Sequence, residues 1–219
     1  NINDGSPFVY TVSNETISVN ALNQFVSEGL VMYLDAAKSI SYPGSGTTWF
    51  DLSGNNLNAD LNGGITFSSD EEGYFIFDGN NDYAEIAFDP ILQITSDITI
   101  EVTLANEVNG NWNAVILYPQ SVSGHVNPFF DYGMFFNSNG RFDTRVNGEN
   151  HYREIGTGVF DTWTHYTITV QNQEITFYVN GSEVFTTTTS QPSIIYDNNN
   201  PLLIGRNGGG GEYLQGRLS

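Results

Sequence analysis

The chain has 219 residues, with 25 acidic side chains against six basic ones, a formal net charge of −19, and only 14% of its residues charged. Six cations cannot neutralise a phosphate backbone, which excludes nucleic acid as a partner and disfavours an anionic membrane surface. Cysteine is absent, so there is no disulfide framework, thiolate metal site or cysteine nucleophile, and no apolar run approaches the roughly 18 residues of a spanning helix.

The 26 Asn, 23 Gly and 7 Pro are turn formers, and the 15 Phe and 12 Tyr are strand formers. Charged residues are too few for a set of solvated amphipathic helices, so the composition predicts an all-β fold. The first residue is Asn1 rather than Met, and the chain reads as processed or cut from something longer.

In chain order, residues 1–27 read as an N-terminal linker or edge segment. It holds one strand at 8–12, a polar Asn-Glu-Thr stretch, and a short helical turn near 21–28. Residues 28–219 read as a single domain. An apolar run at 30–34 ends at Asp35, and Pro43-Gly44-Ser45-Gly46 is turn chemistry. A strand at 74–77 leads into the turn signal Asp78-Gly79-Asn80-Asn81, and another strand follows at 83–88. Ile98, Ile100, Val102 and Leu104 alternate with Thr99, Glu101 and Thr103, the period of a half-buried strand. Tyr166, Ile168 and Val170 repeat the pattern. So do Ile175, Phe177 and Val179 before the hairpin turn Asn180-Gly181. Further strands are expected at 114–118, 129–136, 141–146, 184–188 and 202–204, about a dozen in all. Residues 208–211 are four glycines, read as a flexible loop. So many short strands without intervening helices predict a two-sheet antiparallel sandwich or a barrel.

Five blocks in register sharpen this. They are Gly29-Leu30-Val31-Met32-Tyr33-Leu34-Asp35-Ala36 with Ser41-Tyr42-Pro43-Gly44-Ser45-Gly46-Thr47-Thr48-Trp49 and Phe50-Asp51-Leu52-Ser53-Gly54-Asn55; Phe77-Asp78-Gly79-Asn80-Asn81-Asp82-Tyr83; Ile98-Thr99-Ile100-Glu101-Val102; Trp163-Thr164-His165-Tyr166 with Phe177-Tyr178-Val179-Asn180-Gly181-Ser182-Glu183; and Leu203-Ile204-Gly205-Arg206 with Gly216-Arg217-Leu218-Ser219. Over about 190 residues the chain resembles the laminin-G-like jelly rolls of the concanavalin A-like lectin/glucanase superfamily. The first block is especially similar to modules of phage structural and bacterial surface proteins. The resemblance implies a jelly-roll β-sandwich whose rim loops bind sugars, proteins or calcium. It also implies a final strand after the Gly-Arg-Leu-Ser position, so that the chain would stop one strand short. The fold alone names no function.

Retaining glucanases need two carboxylates about 5–5.5 Å apart. The Glu-x-Asp-x-(x)-Glu pattern that the superfamily's glucanases place on one strand is missing. Asp97 and Glu101 share a polar strand face with Thr99 between them and read as solvated acids. His125, His151 and His165 stand apart from any serine in a nucleophile-elbow context, so no triad is indicated. The chain is therefore expected to be non-catalytic.

Calcium needs six to eight hard oxygens. The candidate clusters are Asp51 with Asn55, and Asp78 with Asn80 and Asp82, where a glycine bends the backbone so that oxygens can converge. The competing reading is ordinary Asx turns. The pentraxin-like double site is disfavoured, because the loop after Ile204 offers only Glu212 as an acid. For sugar binding, the best platform is Trp112, flanked by Asn111 and Asn113, followed by Tyr152 and Tyr213. Trp49 and Trp163 are assigned to packing. Arg141, Asp143 and Arg145 share one strand face, with Phe142 and Val146 on the other. They could grip an anionic sugar, although internal pairing with acids is favoured. Asn14-Glu15-Thr16 and Asn180-Gly181-Ser182 match the glycosylation sequon, which is common by chance.

The expectation is a recognition module on a virion or bacterial cell surface, extracellular, that binds glycans through rim loops with possible calcium assistance. The rival is a structural capsid-decoration or tail component contacting only neighbouring proteins, and a glycan-active hydrolase or lyase ranks behind both. None implies membrane insertion.

Overall fold

The computed structural model describes residues 8–12, 15–19, 28–107, 112–123, 129–137, 140–155, 161–196, 198–209 and 211–219. The chain divides into two compact units, Asn1–Leu30 and Val31–Ser219. In the first, β1 (Phe8–Val12) pairs antiparallel with β2 (Glu15–Val19), Phe8 opposite Val19 and Val12 opposite Glu15. Only β1 was legible in the sequence. Glu15, Thr16 and Ser18 make β2 read as polar, and a paired hairpin strand needs no apolar face of its own. The helical turn expected near 21–28 lies outside the described residues, save for Glu28, which sits in a turn.

The second unit contains β3 (Thr48–Trp49), β4 (Ala59–Asn62), β5 (Thr66–Ser68), β6 (Tyr74–Asp78), β7 (Tyr83–Ile86) and β8 (Ile98–Asn106). It continues with β9 (Trp112–Pro119), β10 (Phe130–Asn137), β11 (Arg141–Val146), β12 (Glu149–Glu154) and β13 (Thr164–Gln171). The last are β14 (Glu174–Val179), β15 (Ser182–Thr188), β16 (Leu202–Ile204) and β17 (Gln215–Leu218). Two sheets result, ordered β12-β11-β10-β9-β16-β7-β4-β3 and β15-β14-β13-β8-β17-β6-β5. Every pairing is antiparallel, and the only helical elements among the described residues are the 3-10 turns Asp70–Glu72 and Pro90–Leu92. This is the jelly-roll β-sandwich that the sequence predicts.

The predicted alternation is realised in β8: Ile98, Ile100 and Leu104 are buried, and Thr99 and Glu101 are exposed. The strands absent from the expected set, β3, β4, β5, β12 and β17, are either two to four residues long or polar. The apolar run at 30–34 is not a strand. It has no regular secondary structure and is tied down by side chains of 51–55: the Tyr33 amide donates to Asp51 at 2.9 Å, and the Val31 carbonyl accepts from Ser53 and Asn55. Gly216, Arg217 and Leu218 of the Gly-Arg-Leu-Ser position lie in β17, with Ser219 just after it, and β17 is seated between β6 and β8.

Between the sheets the core is aromatic. Phe136 and Phe142 of the eight-stranded sheet stack at 4.9 Å, and Phe142 meets Phe177 of the seven-stranded sheet edge-on at 5.1 Å. Tyr166 closes the group at 4.6 Å from Phe136. Each such pair adds about 0.5–1.5 kcal/mol beyond burial of its area. Trp49 is buried against Phe75 at 4.9 Å, as expected of a packing residue. Trp163 is only half-buried. Its indole N–H donates to Glu71, and the Arg217 guanidinium lies over its ring at 5.4 Å.

A second, separate apolar cluster comprises Ala114, Leu117, Phe130, Phe135 and Leu203, with Tyr83 and Phe129 against it. Leu203 alternates with Leu202 and Ile204, and Phe135 with Met134 and Phe136, which belong to the main core. The second cluster therefore lies on the other, outward face of the eight-stranded sheet. Such a face is ordinarily polar. Here it is aromatic.

Candidate functional site

On that outward face is a recess of about 220 Å³ lined by Trp112, Phe129, Phe130, Phe135, Asp143, Arg145, Asn150, Asn207 and Glu212. Strand register brings these residues together. Phe135 pairs with Ala114 of β9 and with Asp143 of β11, while Asp143 pairs with Tyr152 and Arg145 with Asn150 of β12. The loop from β16 to β17 supplies Asn207 and Glu212, whose side chains are hydrogen-bonded to one another. Two features put adjacent aromatics to separate use. The doubled Phe135-Phe136 places one ring in the recess and one in the core, and a bulge between Met134 and Phe135 re-aims the strand. Phe129 holds φ at 77°, a costly conformation for a bulky residue that is commonest at functional sites.

The charges beside the recess are spoken for. Arg141 donates from Nε and Nη2 to Asp143 Oδ1, at 3.0 and 2.8 Å. Its guanidinium lies 3.4 Å from the Tyr152 ring centroid and 5.5 Å from that of Trp112. Arg145 lies over Phe129 at 4.8 Å and Phe130 at 5.4 Å. Burial pushes the Asp143 carboxyl up to about 6, against the opposing pull of the Arg141 hydrogen bond and of both arginine charges. Asp143 is 3% exposed, and its Oδ2 has no hydrogen-bond partner among the described residues. Burial likewise lowers the Arg145 guanidinium, while Asp143 and Glu212 pull it back up.

Of the residues proposed from sequence for sugar contact, Trp112 lines the recess and is 38% exposed. Tyr152 stands beside it on the same face, 46% exposed. Tyr213 is half-buried, bridges through its backbone to Arg206, and is not among the residues that line the recess. Asn113 is fully buried: its amide donates to the Glu107 carbonyl, and its Oδ1 accepts from the Gln215 amide. It ties β9 to β17 and is not among the residues that line the recess. Asn111 lies outside the described residues. The expected internal pairing of Arg141 with an acid is observed. Phe129, Phe130, Phe135, Asn150 and Asn207 were missed, although the doubled aromatics at 129–130 and 135–136 were a usable signal.

The two calcium candidates are Asx turns. Asp51 accepts from the amides of Tyr33, Ser53 and Leu57 and from the Ser53 hydroxyl. Burial acts against it, but these donors outweigh that and hold its carboxyl below the usual range. The Asn55 side chain donates to the Val31 carbonyl. Asp78 accepts from the Asn80 amide at 2.8 Å, from the Asn80 side chain and from the Asn81 amide, and Asp82 accepts from the Asp78 amide. In both turns N–H donors engage the carboxylates of Asp51 and Asp78. Among the described residues no three His, Cys, Asp or Glu side chains gather as they would around a metal. Asp97 accepts from the Asn172 amide, and Glu101 stands 3.8 Å from His165. His151 lies on β12 and His165 on β13, in different sheets. His125 lies outside the described residues.

Residues 78–219 match the family model described as the concanavalin A-like lectin/glucanases superfamily. That is more than half of the chain, and the chain belongs to this superfamily. Among solved structures it is similar to domain 4 of AbnA, a GH43 extracellular arabinanase from Geobacillus stearothermophilus, in complex with arabinotriose. The TM-score is 0.57 at 14% identity, over 77% of this chain and 82% of that one. It is similar as well to the binding domain of botulinum neurotoxin DC in complex with rat synaptotagmin II, with TM-score 0.57 at 13% identity over 89% of this chain and 48% of that one. The receptor-binding domain of the botulinum C/D mosaic serotype gives TM-score 0.52 at 12% identity, over 80% of this chain and 45% of that one. The chain thus spans just under half the length of these neurotoxin domains. At these identities the likeness is one of fold. No curated protein matches the sequence.

Proposed function

We propose that residues 31–219 form a non-catalytic glycan-binding module whose ligand seats in the outward recess of the eight-stranded sheet rather than among rim loops. The observation that carries this reading is the second aromatic layer. Phe130 and Phe135, buried and stacked on one another at 5.7 Å, floor a hollow on the outward face of the sheet, and over them stand the half-buried Phe129 and the 38% exposed Trp112. Aromatic faces stack on sugar C–H surfaces, while Asn150, Asn207 and Glu212 offer the amide and carboxylate groups that hydroxyls require. The arabinotriose held by the arabinanase domain is in keeping with this reading. The setting we infer is an extracellular one, on a virion or a bacterial surface, where salt screens a charge of −19.

Trp112→Ala tests the assignment. The ring is exposed enough that its loss leaves the fold intact, and binding on a glycan array or to polysaccharide should weaken about tenfold or more. Unchanged binding places the site elsewhere. Absence of glycan binding in the unmodified chain, together with an extensive protein interface in an assembly, favours the structural module instead.

A further inference from the structure

Resting on that reading, we propose that the recess is built for an uncharged sugar and discriminates against uronate- or sialate-bearing glycans. Two arginines beside an aromatic hollow suggest the opposite at first sight, a grip for a carboxylate. Their contacts argue otherwise. Arg141 spends two donors on a single oxygen of Asp143 and lays its plane on Tyr152. It acts as a positioning residue that holds Tyr152 and Asp143. Arg145 lies over the Phe129 and Phe130 rings and interacts with the charges of both Asp143 and Glu212. Within the lining itself, one cation faces two acids. With Asp143 already answered by Arg141, an incoming carboxylate would find Arg145 engaged by the rings and by these acids, and would meet Glu212 in a partly desolvated hollow, where charge repulsion is least screened. It would also approach a chain carrying −19 overall, which slows encounter with any anion. A neutral polyol escapes that repulsion. It stacks on Trp112, and it finds hydroxyl partners in Asn150, Asn207 and Glu212.

The experiment uses chemically matched pairs so that only charge differs: uronate oligosaccharides and the same oligosaccharides after carboxyl reduction, and sialylated glycans with their desialylated counterparts. Binding is measured by calorimetry or on an array with the whole chain. The neutral member of each pair should bind about tenfold or more tightly. Glu212→Gln, in a half-buried loop position, should narrow that gap by admitting the acidic member, with the neutral one affected less. Equal or tighter binding of the acidic members overturns the inference and leaves the glycan reading standing, with the arginines as ligands. Binding of no glycan at all, matched pairs and array together, overturns both.

Discussion

Asp143 is the residue on which the recess turns. It aligns Arg141, and through Arg141 the Tyr152 ring, and it carries a buried oxygen without a hydrogen-bond partner among the described residues. Its folded carboxyl titrates near 6 because burial penalises the ionised form, against a reference of 3.8. The folded state thus holds this proton more tightly than the unfolded chain does. Its contribution to stability rises as pH falls from about 6 to about 4, by roughly 3 kcal/mol at most. His151 works in the opposite direction. Burial lowers its pKa below 6.5, so its contribution is present above that value and is lost as pH falls through it. The two overlap, so the clean measurement is residue-specific. The side-chain carboxyl resonance of Asp143 should titrate with a midpoint near 6, and a midpoint near 4 would show a carboxylate freely solvated. Sequence reasoning placed Arg141, Asp143 and Arg145 on one face correctly, because alternation along a strand is a local property. It could not show that this face looks onto aromatic rings from β9 and β10.

At the scale of elements, the β16–β17 loop shows how a low-complexity run becomes structure. Four successive glycines read as flexible. Yet Gly208 is packed so closely that a Cβ there would lie 1.8 Å from the Ser121 carbonyl oxygen and 2.7 Å from Pro119. This contact presses the loop against the end of β9 and presents Asn207 and Glu212 to the recess. Gly208→Ala should therefore lose about 1–3 kcal/mol in urea unfolding, since backbone must move to admit the methyl group. It should also weaken glycan binding. Gly211 has open space around it and only a positive φ of 91°, so Gly211→Ala should cost about 1 kcal/mol through strain alone. Equal losses in the two variants would contradict the packed loop. The long strands β8, β13 and β14 were legible because they bury one face continuously. The short strands β3, β4 and β5 were not, because two to four residues are too few to display a period.

At the scale of the whole molecule, charge is the dominant non-specific term. With −19 spread over a surface that has few cations, self-repulsion opposes the compact state, and added salt should screen it. The melting temperature should rise with sodium chloride. A few millimolar calcium should raise it no more than the same concentration of magnesium, and EDTA should not lower it below the metal-free value. A rise specific to calcium would show that one of the two Asx turns opens to take the ion. Both turns held the residues that calcium chemistry requires, in a suitable order. Only the three-dimensional structure shows their oxygens turned to amides of Tyr33, Leu57 and Asp78.

The sequence by itself determined the class of fold, since period-2 alternation, turn residues and aromatic richness act over a few neighbours and leave a record along the chain. It also carried the family's blocks in order. The recess was decided by tertiary structure alone. Its residues come from β9, the segment leading into β10, β10 itself, β11, β12 and the loop before β17, separated by up to a hundred positions from Trp112 to Glu212. They meet only because one bulge and one set of strand registers turn Phe135 outward beside Asp143. Hydrophobicity marks a residue as wanting cover. Which face provides that cover, the core or a ligand, depends on partners that no local pattern names.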